Sequence, residues 1–156
     1  MRKLEPQLHH ISSRLSEYAT QPSAYRVCVL YGAPMSHKTT IASKLSEELE
    51  GKYIDLLRDK LPVLQPRIGL YRHTDLKKDI NLWSKETNSL LVLDEIEPLL
   101  DTWPREEQRN LFKLLSRWRT DSVILIVTRL NLPYEDFLDG GRVFRIGQLG
   151  EDKYVE

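Results

Sequence analysis

Tyr31-Gly32-Ala33-Pro34-Met35-Ser36-His37-Lys38-Thr39-Thr40 is the stretch from which the fold is read. Arg26-Val27-Cys28-Val29-Leu30 runs into it, an apolar segment that reads as a buried strand. Beyond it, Ile41, Ala42, Leu45 and Leu49 recur at helical spacing. A phosphate-binding loop has a glycine, four residues, then glycine-lysine-serine/threonine at a strand-to-helix junction. Gly32, Lys38 and Thr39 occupy those positions, and His37 takes the place of the second glycine. The candidate cradle is the whole run from Gly32, Ala33, Pro34, Met35, Ser36 and His37 to Lys38, Thr39 and Thr40. Loop amides and the helix N-terminus wrap an anionic phosphate. Lys38 reaches the β- and γ-phosphates as a point charge, and the Thr39 hydroxyl ligates Mg²⁺. His37 departs from the pattern: its side chain must point away, and it narrows the angles open to the loop. On its own the stretch also fits an ordinary strand-to-helix turn.

The second informative segment is Leu90-Leu91-Val92-Leu93-Asp94-Glu95, an apolar run that ends in two carboxylates. Mg²⁺-nucleotide chemistry uses such a strand end. Asp94 would hold the cation through water, and Glu95 would orient and polarise the attacking water. Taken singly, the acids are also what a solvated strand end carries. The conjunction decides, because both segments sit at strand C-termini, where α/β sheets bind ligands.

Working outward, Leu4, Leu8, Ile11, Leu15 and Tyr18 predict an amphipathic first helix, closed by a turn at Gln21-Pro22-Ser23. Gly51 is expected in the C-cap of the helix after the loop. Tyr53 to Leu57 predicts a second strand, and no regular pattern emerges between Arg58 and Thr74. Leu76, Ile80 and Trp83 predict a helix, as do Leu111, Leu114, Leu115 and Trp118 behind Pro104. Ser122 to Val127 and Val143 to Ile146 predict the last two strands, with a short helix over Pro133 to Leu138 and a turn at Gly140-Gly141. Strands alternating with helices, and apolar without alternation, imply a parallel sheet covered on both faces. The expected organisation is a single domain over 1–156, with an N-terminal helix in 1–22 and a nucleotide-binding core in 23–150.

The chain has 156 residues, 40 % of them hydrophobic, enough for one real core. Twenty-three basic residues balance twenty-three acidic ones, which removes the bulk-charge argument for nucleic acid but not a local basic patch. The single cysteine, Cys28, forms no intrachain disulfide and reads as a small core residue. Its apolar runs are far shorter than the roughly 20 residues that span a bilayer. No apolar h-region follows the basic start, so the expectation is a soluble cytoplasmic chain with no membrane partner. His73 has no Cys or His at metal-ligand spacing, so no zinc site is expected.

From about Tyr25 to Gly147 the chain resembles the AAA+ group of P-loop ATPases. The resemblance implies an α/β, three-layer core with a mainly parallel five-stranded sheet. It implies ATP and Mg²⁺ as cofactors and action as a homo-oligomer. Thr128 stands where that group keeps a polar sensor of the γ-phosphate, with Asn131 as second candidate. Gly141-Arg142-Val143-Phe144-Arg145 is similar to its arginine-finger box, so Arg142 and Arg145 would act in the site of a neighbouring subunit. Such a finger contributes about 10³–10⁵ in rate. A pair of surface arginines beside a strand fits the same residues. The group's C-terminal helical lid is not expected after Ile146, so a partner or neighbouring subunit would close the site. A narrower resemblance is to the small P-loop ATPase subunits of bacterial BREX phage-defence systems, which implies other defence-system proteins as partners.

The loop after the second strand often faces the ring pore in AAA+ proteins. Arg67, Arg72, Lys77 and Lys78, interleaved with Tyr71, are therefore the candidate contacts to DNA phosphate, against the plainer reading of a solvated face. Three functions remain open on sequence: an oligomeric ATPase, a nucleotide-gated assembly module with little hydrolysis, and an interaction protein with a degenerate loop.

Overall fold

A computed structural model describes residues 4–21, 25–33 and 36–146. The chain begins with α1 (Leu4–Thr20), followed by β1 (Val27–Gly32), α2 (Lys38–Glu48) and β2 (Lys52–Asp55). A π-helical turn (Leu56–Lys60), the short α3 (Leu61–Leu64) and a 3-10 segment (Gln65–Leu70) lead to α4 (His73–Ser84). Then come β3 (Leu90–Asp94), α5 (Glu97–Leu100), α6 (Arg105–Ser116) and β4 (Val123–Thr128). Two 3-10 turns, Tyr134–Asp136 and Gly140–Arg142, precede β5 (Val143–Ile146).

All five strands are parallel, in the order β2-β3-β4-β1-β5. Strand β1 is central, with Tyr31 opposite Thr128 of β4 and Arg145 of β5. Period-two alternation sends Val27 and Val29 into one core layer and Cys28 and Leu30 into the other. The first layer is closed by α4, α5 and α6 through Leu76, Ile80, Leu99, Leu111, Phe112 and Leu115. The second is closed by α1 and α2 through Ile11, Leu15, Tyr18, Ile41, Ala42 and Leu45. Each large side chain fully buried here contributes about 1.5–3 kcal/mol, and the strands contribute to both layers, so the sheet is the main source of stability. That two-sided burial is why the strands read as unbroken apolar runs. Cys28 is fully buried, and burial pushes its thiol up to about 12, so it is a core residue at neutral pH.

Helix α1 is laid on this sheet and tied down at its middle and near its C-terminal end. Ser12 donates to Glu48 at 3.2 Å, and the Tyr18 hydroxyl donates to the Gly141 carbonyl at 2.5 Å. The expected turn at Pro22-Ser23 lies outside the described residues.

Four sequence expectations are corrected. Gly51 is not the left-handed cap of α2: Glu50 is, with φ 52°. The Gly51 N–H bonds the Ser46 carbonyl at 2.8 Å and that of Glu50 bonds Glu47 at 3.3 Å, which is a Schellman closure displaced by one residue. Gly51 is required instead by proximity, because a Cβ there would stand 2.5 Å from the Leu90 carbonyl oxygen. Strand β2 stops at Asp55, whose side chain accepts from Arg58 N–H and starts the π-helical turn. Pro104 is the N-cap of α6 rather than its first residue, and Phe112 takes the buried position expected of the half-buried Leu114.

Candidate functional site

Strands β1 and β3 end on the same side of the sheet because every strand runs the same way. Their C-termini place the Lys38-Thr39 pair beside Asp94. The Thr39 hydroxyl donates to Asp94 Oδ2 at 2.8 Å across a sequence separation of 55. Lys38 opens α2, and its ammonium donates to the Ala33 carbonyl within the same loop at 3.4 Å.

His37, at the glycine position, adopts φ 64°, ψ 24°, the left-handed region. The loop thus keeps the turn that glycine would make and accepts the strain of a Cβ, about 1–2 kcal/mol. The side chain is exposed and makes no capping bond, so it points away from the cradle. Gly32 meets the requirement of its own position. A Cβ there would stand 2.3 Å from Ser36 Oγ and 2.9 Å from Ile146 Cγ1. Ser36 itself is 2 % exposed, and its hydroxyl has no partner among the described residues. A buried polar atom without a partner is costly. Its position inside the turn fits a loop made to receive a further acceptor or donor. Pro34 and Met35, also expected in the cradle, lie outside the described residues.

Asp94 is 3 % exposed and held from three directions. Besides Thr39, the Tyr53 hydroxyl donates to Oδ2 at 2.5 Å, and the Glu95 N–H donates to Oδ1 at 2.8 Å. Glu95 has φ 57°, a strained turn at the strand end. Burial, then the negative charges of Asp94, Glu97 and Asp55, push its carboxyl above the ordinary range. A raised carboxyl moves toward the range suited to general-base work near neutrality. These residues fit a Mg²⁺-nucleotide. Thr39 and Asp94 are the hard oxygen donors such an ion takes, and Lys38 is the cation for phosphate. When bound, the cation would supply charge neutralisation at the phosphate oxygens.

Sequence reasoning missed Tyr53 and Glu97. Tyr53 was read only as the start of a strand, and no local pattern marks it, since its partner comes from β3. Glu97 is 6 % exposed and accepts the Arg129 N–H at 3.0 Å, so α5 is fastened to the end of β4.

The remaining candidates are dispersed. Thr128 is at the C-terminal end of β4, but it is fully buried and its oxygen accepts the Leu130 N–H at 2.9 Å. Asn131 is exposed, and its carbonyl accepts from Arg105 at 2.7 Å. Arg142 does not project as a finger. It is 4 % exposed and bonds Asp139 at 2.9 Å and the Val27 and Ser116 carbonyls at 3.3 Å. Val27 opens β1, so this guanidinium is an interior strut at the end of the sheet opposite the loop. Arg145, level with Tyr31, does reach the loop end of the sheet. Its guanidinium pairs with Glu135 at 2.7 and 2.8 Å and lies 4.9 Å from the Tyr31 ring centre. Of the basic residues near the second strand, Arg72 is bound to Glu107 at 2.7 Å. Lys77 lies 5.3 Å from the Trp118 ring centre and Arg67 5.9 Å from that of Tyr71, while Lys78 is exposed.

No protein-family model matches the chain, and no curated protein matches it in sequence. Its fold is similar to that in the solved structure of C. elegans PCH-2, an AAA+ ATPase, with a TM-score of 0.54 at 14 % identity. The likeness covers 90 % of this chain and 42 % of that one, so the chain spans less than half the length of that neighbour. At such identity the likeness is one of fold. Among the described residues no helix is long and apolar enough to cross a membrane. Sheet order, strand direction and this likeness together make the chain an α/β protein with a five-stranded, all-parallel sheet, similar in fold to the matching part of PCH-2.

Proposed function

We propose that the protein binds Mg-ATP between the Gly32–Thr40 loop and the Asp94-Glu95 strand end, and hydrolyses it as an oligomer. The observation that carries this reading is the 2.8 Å bond between Thr39 and Asp94, two residues that no local constraint would bring together. The Ser36 hydroxyl, without a partner among the described residues, and the glycine-like angles of His37 support it. In this reading Lys38 binds the β- and γ-phosphates, Thr39 and Asp94 hold Mg²⁺, and Glu95 positions the attacking water. Thr128 acts only if its hydroxyl turns away from Leu130, and Arg145 only by leaving Glu135.

Titration calorimetry with Mg-ATP tests binding. The wild type gives a saturable signal and Lys38→Ala does not. Steady-state hydrolysis with Glu95→Gln tests the chemistry, and an unchanged rate would remove Glu95 from it. The interior placement of Arg142 favours a second reading, in which nucleotide is held and gates assembly with little turnover. Nucleotide-dependent oligomerisation alongside slow single-turnover hydrolysis distinguishes that reading from the first. Membership of a BREX phage-defence complex, and contact with DNA through Arg67, Lys77 and Lys78, rest on the sequence resemblance. Co-purification with defence-system proteins and a DNA-binding assay on the triple alanine variant test these two.

A further inference from the structure

The Asp94 carboxylate has about four lone-pair positions. Three are taken by protein donors: Thr39 and Tyr53 hydroxyls on Oδ2, and the Glu95 N–H on Oδ1. Oδ2 is therefore saturated, and a single position on Oδ1 is left. A carboxylate so committed makes one further contact, to a metal-bound water or singly to the metal, and cannot ligate a cation through both oxygens. Thr39, whose one proton is given to Asp94, keeps its oxygen lone pairs for the cation.

We propose that Tyr53 is a specificity-determining positioning residue: its hydroxyl caps Asp94 Oδ2, bars bidentate coordination by the carboxylate, and so selects Mg²⁺ over Ca²⁺. The inference rests on the proposed nucleotide reading. Mg²⁺ dehydrates reluctantly and keeps several waters in a strict octahedron, whereas Ca²⁺ takes carboxylates directly, singly or bidentate. Selectivity between the two is a matter of ligand number and flexibility, and a capped Asp94 has too few free oxygens and too little freedom for Ca²⁺. Tyr53 is well placed for the task. It projects from β2 on the same face as Asp94, packed among the residues that seat α2, so its ring is held while the hydroxyl reaches the carboxylate.

The test is a fluorescence titration of a mant-labelled ATP with Mg²⁺ and, separately, Ca²⁺. It reads the ratio of the two half-saturating cation concentrations and needs no turnover. In Tyr53→Phe one position on Oδ2 is freed while Thr39 keeps the other, both oxygens can then reach a cation, and the ratio shifts roughly five- to tenfold toward Ca²⁺. A purely structural role would weaken both cations alike and leave the ratio fixed. A second variant, difluorotyrosine at position 53, keeps the ring and the fold and is a stronger donor, so its ratio moves the other way, toward Mg²⁺. A ratio unchanged in both variants overturns the proposal while the nucleotide site stands. A wild type that binds no nucleotide with either cation overturns the nucleotide reading and this inference with it.

Discussion

Replacing His37 by glycine and by alanine isolates the cost of the left-handed turn at the head of α2. His37 has φ 64°, ψ 24°, is exposed, and offers only its backbone carbonyl, which accepts the Ile41 N–H at 3.1 Å. Removing the imidazole thus costs little burial and no side-chain hydrogen bond. His37→Ala keeps the Cβ and its clash in the left-handed region, so its stability stays within about 0.5 kcal/mol of the wild type. His37→Gly removes a strain of about 1–2 kcal/mol and adds about 0.5–1 kcal/mol of unfolded-state entropy. Glycine should therefore exceed alanine by about 0.5–1 kcal/mol, the reverse of their order inside a helix. For a domain of this size 1 kcal/mol is about 2–4 °C in melting temperature. Urea unfolding of the three proteins, with equal m-values, measures the difference. An alanine variant as stable as the glycine variant would refute the argument, because it would mean that the loop does not hold a left-handed residue. Equal or tighter Mg-ATP binding in His37→Gly is the companion expectation.

Gly51→Ala forces a Cβ to 2.5 Å from the Leu90 carbonyl oxygen, a backbone atom that moves only with β3. A loss of about 1–3 kcal/mol in urea unfolding is expected. Arg142→Ala leaves the Val27 and Ser116 carbonyls short of a donor inside the protein, so about 2–3 kcal/mol of stability is lost, read as a lower melting temperature. The same variant should leave any dependence of ATP turnover on protein concentration intact. Glu107 gives a pH dependence. Burial raises its carboxyl, but the Arg72 side chain, then the His73 N–H and ring, outweigh it and hold the group down at about 2, against 4.5 ordinarily. The contribution is complete above pH 4.5 and lost as pH falls from there toward 2. Because Arg72 is largely in solvent, the net loss is about 1–2 kcal/mol, and Glu107→Gln should flatten that limb of a stability–pH curve.

The amino-acid order alone determined the strands and the longer helices in their order along the chain, but not the helical turns between Leu56 and Leu70 or the short α5. Val27 to Tyr31, Leu90 to Leu93 and Val123 to Val127 are apolar without alternation, the pattern of a strand covered on both faces. It also determined that Gly32 and Asp94 end strands and that Lys38 and Thr39 head a helix, because each statement concerns residues a few positions apart. What it left open is everything carried by contacts between distant segments. Tyr53 became part of the site only when β2 paired with β3, and Arg142 became an interior strut only when β5 packed beside β1 and drew it under Ser116. A surface arginine and an interior one have the same local sequence. Their difference is set by which carbonyls the folded chain leaves unpaired at that point. Likewise the left-handed turn at Glu50 was hidden by the glycine next to it, whose own small size answers to the Leu90 carbonyl from another strand. Local spacing encodes periodicity and turn chemistry; burial, pairing and the direction in which a side chain points are set by the packing of the two layers on the sheet.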